Sequence, residues 1–275
     1  MKGAALALLA VLTAACGGTP PSAPSASSAE PPGVPGMAAE VVLLRTDEAI
    51  GGQVQVRVTD TGDAPFTVTA VRLDSAGFRM LPAMPVEAAF VPGRTIDLPT
   101  PYGEPICSAA PLPAVAELAL VRPGGAVEDV RVPMSAEVLR RIHDRECAAR
   151  AVLEVVGIEV RDLREEGGAL RGVLVLSRRA GDQPVTASRM GRSVLIDVVA
   201  DELPLELVGR QSSAQLTFRP ATCDPHVLSE TKKPYVFPLH VAVGDGEPVV
   251  LDLPLDAAAR DRLAAMVQRV CAPGS

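Results

Sequence analysis

Thiols, carboxylates, imidazoles and amines are the side chains that ligate metals, move protons or attack electrophiles. The stretch Arg219–Lys233, RPATCDPHVLSETKK, carries all of them within one short run. Asp224, His226 and Glu230 are acceptable metal ligands, and His240 stands on the apolar run that follows. Zinc and copper sites usually draw on more histidine or thiolate, and the chain has only His143, His226 and His240. One reading is therefore an interaction loop, with Asp224 capping local amides and Asp224, His226, Glu230 and Lys232 offering polar contacts. The alternative is a metal- or small-ligand-binding receptor that uses His226, His240 and Asp224. His143 falls in the last turns of a helix, where an imidazole offsets the helix dipole.

No catalytic residue is expected. The sequence has no G-x-S-x-G elbow, no H-E-x-x-H and no phosphate-cradling glycine loop. Ser229 near His226 makes no triad by spacing, since a triad is defined by geometry. Glu165 and Glu166 lie in REEGG, a turn whose adjacent carboxylates diverge into solvent. A formal net charge of -7 without a basic stripe argues against nucleic acid. With no Trp and 3% aromatic residues, the chain lacks the platforms that bind glycans. No cofactor is expected.

The elements that carry these residues repeat along the chain. VPGRTIDLPTPYGEPIC (91–107) aligns with LVGRQSSAQLTFRPATC (207–223), each cysteine at the same interval from its glycine. TGDAPFT (61–67) matches AGDQPVT (180–186), and GAVEDVRVPMS (125–135) matches GEPVVLDLPLD (246–256). Within a copy, QVQVRVTD and FTVTAVRLD alternate apolar and polar residues, as strands do, with TGDAP as the turn between them. Each copy then closes with a helix that finishes at a cysteine. Ser135 and Asp256 are the expected N-caps; Val138, Leu139 and Ile142 form one apolar stripe, and Leu263, Met266, Val267 and Val270 the other. The expected fold is mainly β. Two tandem immunoglobulin-like β-sandwich domains, 38–150 and 151–275, each end in a disulfide-tethered C-terminal α-helix. ARAVLEVVGIEV joins them directly, so the junction is short and not freely hinged.

The N-terminus reads as targeting. Lys2 precedes an uncharged apolar run too short to span a bilayer, the pattern of a signal peptide over residues 1–15. LTAAC, ending at Cys16, resembles the lipobox of bacterial lipoproteins. That resemblance implies a mature chain beginning at an acylated Cys16, with two acyl chains holding it stably. Residues 16–37 continue as a Pro/Ser/Gly tether with nothing to bury, expected to be disordered and able to reach roughly 60 Å. The expected location is the extracytoplasmic face of the cell membrane, lipid-anchored.

With Cys16 assigned to lipid, four cysteines remain, which allow three pairings. Only Cys107–Cys147 with Cys223–Cys271 treats the copies alike and keeps each bond inside one copy. A zinc cage would need paired short spacings such as C-x-x-C, and none is present. Cys223 is thus a disulfide anchor. The stretch after it is longer and more polar than CSAAPLPAVAELAL in the first copy, and it holds Lys232 and Lys233, the only lysines besides Lys2. CDPHVLSETKKPYVFPLHV resembles a C-D-P-H…E…K segment of uncharacterised exported actinobacterial proteins. The matching residues are Cys223, Asp224, Pro225, His226, Glu230 and Lys232. The resemblance implies export and no known activity. The expected function is non-enzymatic binding, with the membrane reached through the lipid and another envelope or secreted protein as partner.

Overall fold

A computed structural model describes residues 32–272. The signal peptide, Cys16 and most of the tether lie outside the described residues. The fold is mainly β. Its first half runs β1 (Met37–Val42), α1 (Arg45–Ile50), β2 (Gln53–Asp60), β3 (Phe66–Ser75), β4 (Met84–Phe90), β5 (Thr95–Pro101), β6 (Ala114–Val121), β7 (Val127–Ser135) and α2 (Glu137–Val155). The second runs β8 (Val156–Glu166), β9 (Ala169–Arg178), β10 (Val185–Met190), β11 (Ile196–Ala200), β12 (Leu205–Glu206), β13 (Gln211–Pro220), α3 (Pro225–Glu230), β14 (Pro238–Val243), β15 (Val249–Asp252) and α4 (Ala257–Val270).

The strand pairing of the first half recurs in the second. One seven-stranded sheet has the order β4-β3-β6-β7-β1-β2-β5. Two four-stranded sheets follow, β12-β10-β14-β15 and β11-β13-β9-β8. Antiparallel β1–β2–β5 corresponds to β8–β9–β13, and β3–β6–β7 to β10–β14–β15. β4 and β5, at opposite ends of the first order, pack together, so that sheet curls around its own core.

Alternation explains the cores. In β2, Val54, Val56 and Val58 are fully buried, because a strand sends every second side chain to one face. They meet Leu118, Leu120, Val132 and stacked Phe66 and Phe90, whose ring centroids lie 4.7 Å apart. Leu139 and Ile142 of α2 cover this cluster, as their stripe requires. A second cluster joins Leu170, Leu174 and Leu176 of β9 to Phe218, Phe237 and the α4 stripe of Leu263, Met266 and Val267. Each such fully buried aliphatic or aromatic side chain contributes about 1.5–3 kcal/mol.

Both disulfides pair within a half. Cys107–Cys147 has a Cα separation of 5.6 Å and Cys223–Cys271 one of 5.2 Å, both ordinary for the bond. Cys271 is the C-cap of α4. Cys147, however, does not end α2, which continues through AARAVLEV to Val155. Those residues are good helix formers without a breaker, and Val152 at the far end is buried in the second core. Asp256 caps α4 by accepting from the Ala259 N–H at 2.7 Å. Ser135 does not cap α2: it is the last residue of β7, paired in parallel with Glu40 of β1, and Ala136 holds the cap position without a side-chain bond. Glu165 and Glu166 end β8, and the turn itself is Gly167-Gly168, both at positive φ, as a tight two-residue hairpin requires.

Candidate functional site

The loop after Cys223 folds into the short helix α3. Asp224 accepts hydrogen bonds from the backbone N–H groups of His226 (2.8 Å) and Val227 (3.3 Å), and Pro225 takes the first helical position. Ser229 and Thr231 turn their hydroxyls back onto the carbonyls of His226 and Val227. Val227, Leu228 and Tyr235 pack on the second core and hold the loop down. Asp224, His226, Glu230 and Lys232 are exposed, and no ion pair joins them among the described residues. The carboxylate of Asp224 is therefore committed to backbone, while the other three side chains point into solvent.

His240 lies across from Arg189, whose Nη2 approaches His240 Nε2 to 2.9 Å. That nitrogen is thus the acceptor of a guanidinium. Among the described residues no three His, Cys, Asp or Glu side chains form a group able to hold a metal ion, so Asp224, His226 and His240 do not assemble into one. His143 is buried in mid-helix, not in a last turn, because α2 runs on past it. Its Nε2 lies 3.2 Å from the Ile106 carbonyl and 3.7 Å from Cys147 Sγ, and Phe78 packs edge-on against the ring.

A more developed site lies between the two halves. A cleft of about 530 Å³ is walled by α2 on one side and by β15 and the end of the Cys223 loop on the other. Its apolar wall includes Leu153, Val236, Val250 and Pro254, with Val250 46% exposed. Its polar groups are Glu48, Tyr102, Arg145, Glu146, Lys233 and Asp252. The Tyr102 hydroxyl donates to Glu146 Oε1 at 2.9 Å. Burial, reinforced by that carboxylate, pushes the phenol up to about 12. Arg145 and Lys233 have no ion-pair partner among the described residues.

One rim of the cleft is fixed by a buried carboxylate. Asp47 is almost fully buried; its Oδ1 accepts from the side-chain amides of Gln53 (2.9 Å) and Gln55 (2.6 Å), and its Oδ2 from the Leu44 N–H (2.9 Å). This network pins α1 to β2 and so positions Glu48 and Gly51-Gly52 on the rim. Sequence reasoning singled out the Cys223 loop but none of the cleft except its neighbour Lys233. The cleft thus brings an apolar wall and convergent polar groups together in one concavity, a combination that ligand pockets share.

No model of a known protein family matches the chain, and no curated protein matches it. Among solved structures it is similar to the YadV chaperone, at 14% identity over 80% of this chain and 100% of that one, with a TM-score of 0.23. It is similar to the exo-chitosanase CsxA of Amycolatopsis orientalis at 9% identity, covering 78% of this chain and 26% of that one, with a TM-score of 0.24. A protein of unknown function from Porphyromonas gingivalis W83 is similar at 14% identity, covering 78% and 94%, with a TM-score of 0.21. Likenesses of this size carry no functional argument.

Proposed function

We propose that the protein is a lipid-anchored, extracytoplasmic binding module, not an enzyme, which holds a partner protein of the envelope in the cleft between α2 and β15. The observation that carries this reading is the cleft itself. It combines exposed apolar side chains with charged groups of both signs, Arg145 and Lys233 beside Glu48 and Asp252, none of which is in an ion pair among the described residues. Apolar surface and unpaired charge kept together in a concavity are what a binding site leaves for its ligand.

The location rests on LTAAC with its acylated Cys16. It is supported by two disulfides, which persist in oxidising compartments. Among the described residues no helix is long and apolar enough to cross a membrane. The architecture we propose is a tandem pair of immunoglobulin-like sandwiches, supported by the pairing order that recurs between the halves. The loop after Cys223 enters through its end, which delivers Lys233 and Val236 to the cleft wall.

The test is photo-crosslinking in intact cells of the source organism, with the full chain bearing a crosslinker at Leu153 or, as a control, at exposed Val199. A discrete adduct at Leu153, absent at Val199 and lost in Arg145→Glu/Lys233→Glu, is the expected result. Equal labelling from both positions would sink the cleft reading. In the same cells Cys16→Ala should leave the membrane fraction, and its retention there would remove the anchor.

A further inference from the structure

The pairing of the two halves differs at the junction of their half-sheets. In the first, β1 joins the end of β7 in parallel, Ala39 against Met134 and Glu40 against Ser135. In the second, the corresponding strands β8 and β15 each end a sheet and do not pair with one another. The last turns of α2 occupy the interval: Val152 is buried in the second core, and α2 contacts β8, β14 and β15. β15 therefore has a strand on one side only, β14, and α2 beside it.

The ladder decides which groups the edge away from β14 offers. The Leu253 N–H donates to the Phe237 carbonyl at 2.9 Å, and the Pro238 carbonyl is taken by Gly191 at 2.7 Å, on the β10 side. Opposed residues of an antiparallel pair alternate between bonded and non-bonded. Leu251 and Val249 thus bond to β14, while the N–H and C=O groups of Val250 and Asp252 turn outward. Both residues line the cleft. Other strands also end their sheets, but this edge opens onto an apolar wall, with the unpaired cations Arg145 and Lys233 beside the carboxylates of Glu48, Glu146 and Asp252.

We infer that the cleft takes an extended peptide segment of the partner as an added strand on β15. Its main chain bonds to Val250 and Asp252, an apolar side chain packs against Leu153 and Val236, and an acidic residue faces Arg145 and Lys233. Strand addition draws affinity from main-chain bonds and specificity from the pockets beside them. β15 is only four residues long, so the cleft side chains must supply much of the affinity. This inference rests on the cleft being the binding site.

The probe is a fluorescein-labelled peptide with the sequence MAAEVVLL, residues 37–44. That is the strand which meets the corresponding element of the first half, and it carries one acid among apolar residues. Binding to the full chain is followed by fluorescence anisotropy. Val250→Pro removes the outward N–H while sparing the β14 ladder, a substitution that edge strands tolerate; Val250→Ala keeps the N–H and shortens the side chain. Leu153→Asp spoils the apolar wall.

Saturable binding weakened at least tenfold by Val250→Pro, and much less by Val250→Ala, is the expected result, with slowed hydrogen exchange at the Val250 and Asp252 amides of the wild type. An unfolding scan of each variant separates lost binding from lost fold. If Leu153→Asp abolishes binding and Val250→Pro does not, the peptide sits in the cleft without adding a strand, and the inference fails while the binding site stands. If neither variant matters, or the wild type shows no saturable binding, both fail.

Discussion

The Tyr102 hydroxyl and the Glu146 carboxylate, 2.9 Å apart, tie the chain just beyond β5 to the middle of α2 across the floor of the cleft. Tyr102→Phe removes this bond and should destabilise the protein by about 1 kcal/mol, read from the midpoint of urea unfolding. The pH dependence has a definite sign. The phenol is raised from 10.0 to about 12 in the folded state, chiefly by burial, so its contribution is complete below pH 10.0 and disappears as pH climbs towards about 12. Wild type should lose stability faster than Tyr102→Phe across that window.

Asp47 should be costly to replace. Asp47→Ala leaves two side-chain amides and the Leu44 N–H without their acceptor in a buried setting, which costs about 3 kcal/mol. Asp47→Asn, which keeps an acceptor oxygen, should cost less. Urea unfolding at unchanged slope is the measurement, and a shift equal for the two variants would contradict the network.

The two disulfides close loops of similar span, with sequence separations of 40 and 48. The chain-entropy account gives about 4 kcal/mol to each. Paired serine variants, Cys107→Ser/Cys147→Ser and Cys223→Ser/Cys271→Ser, should therefore lose comparable stability in denaturant titrations. A large inequality would mean that one bond does something other than shorten the unfolded chain.

Asp224→Ala tests what that carboxylate is for. Loss of an N-cap costs about 1 kcal/mol, which here should speed amide exchange at His226 and Val227 roughly fivefold. Global stability should barely move, since α3 buries no side chain completely. Unchanged exchange at those amides would return Asp224 to the pool of free surface groups.

Much of this was legible in the sequence because the signals are local or repeated. Val54, Val56 and Val58 announce a strand face by alternation, Asp224-Pro225 announces a turn with its carboxylate on local amides, though not the short helix α3 that follows, and the repeat picks the disulfide pairing from three possibilities. What escaped depends on partners distant in the chain. Asp47 looks like any acid before a glycine pair until Gln53 and Gln55 turn their amides onto it. Ser135 has the right chemistry for a cap, yet the sheet claims it through Glu40. Cys147 suggests a helix end, yet 148–155 contains nothing to stop a helix and α2 runs on to Val155; the cysteine is a covalent landmark, not a conformational one. The cleft has no sequence signature, since it forms only where Leu153 and Val250, on elements from different halves, line one concavity.

α2 gives Leu139 and Ile142 to one core and Val152 to the other, and it passes into β8 without a linker. Under tension applied across the two halves, such a helix transmits load as shear between two packed interiors. Neither half can extend as a slack spring while the other stays intact, because pulling on one withdraws a buried side chain from its neighbour. The protein should therefore yield in a single high-force event under tension, in contrast to the stepwise lengthening of modules strung on loose connectors.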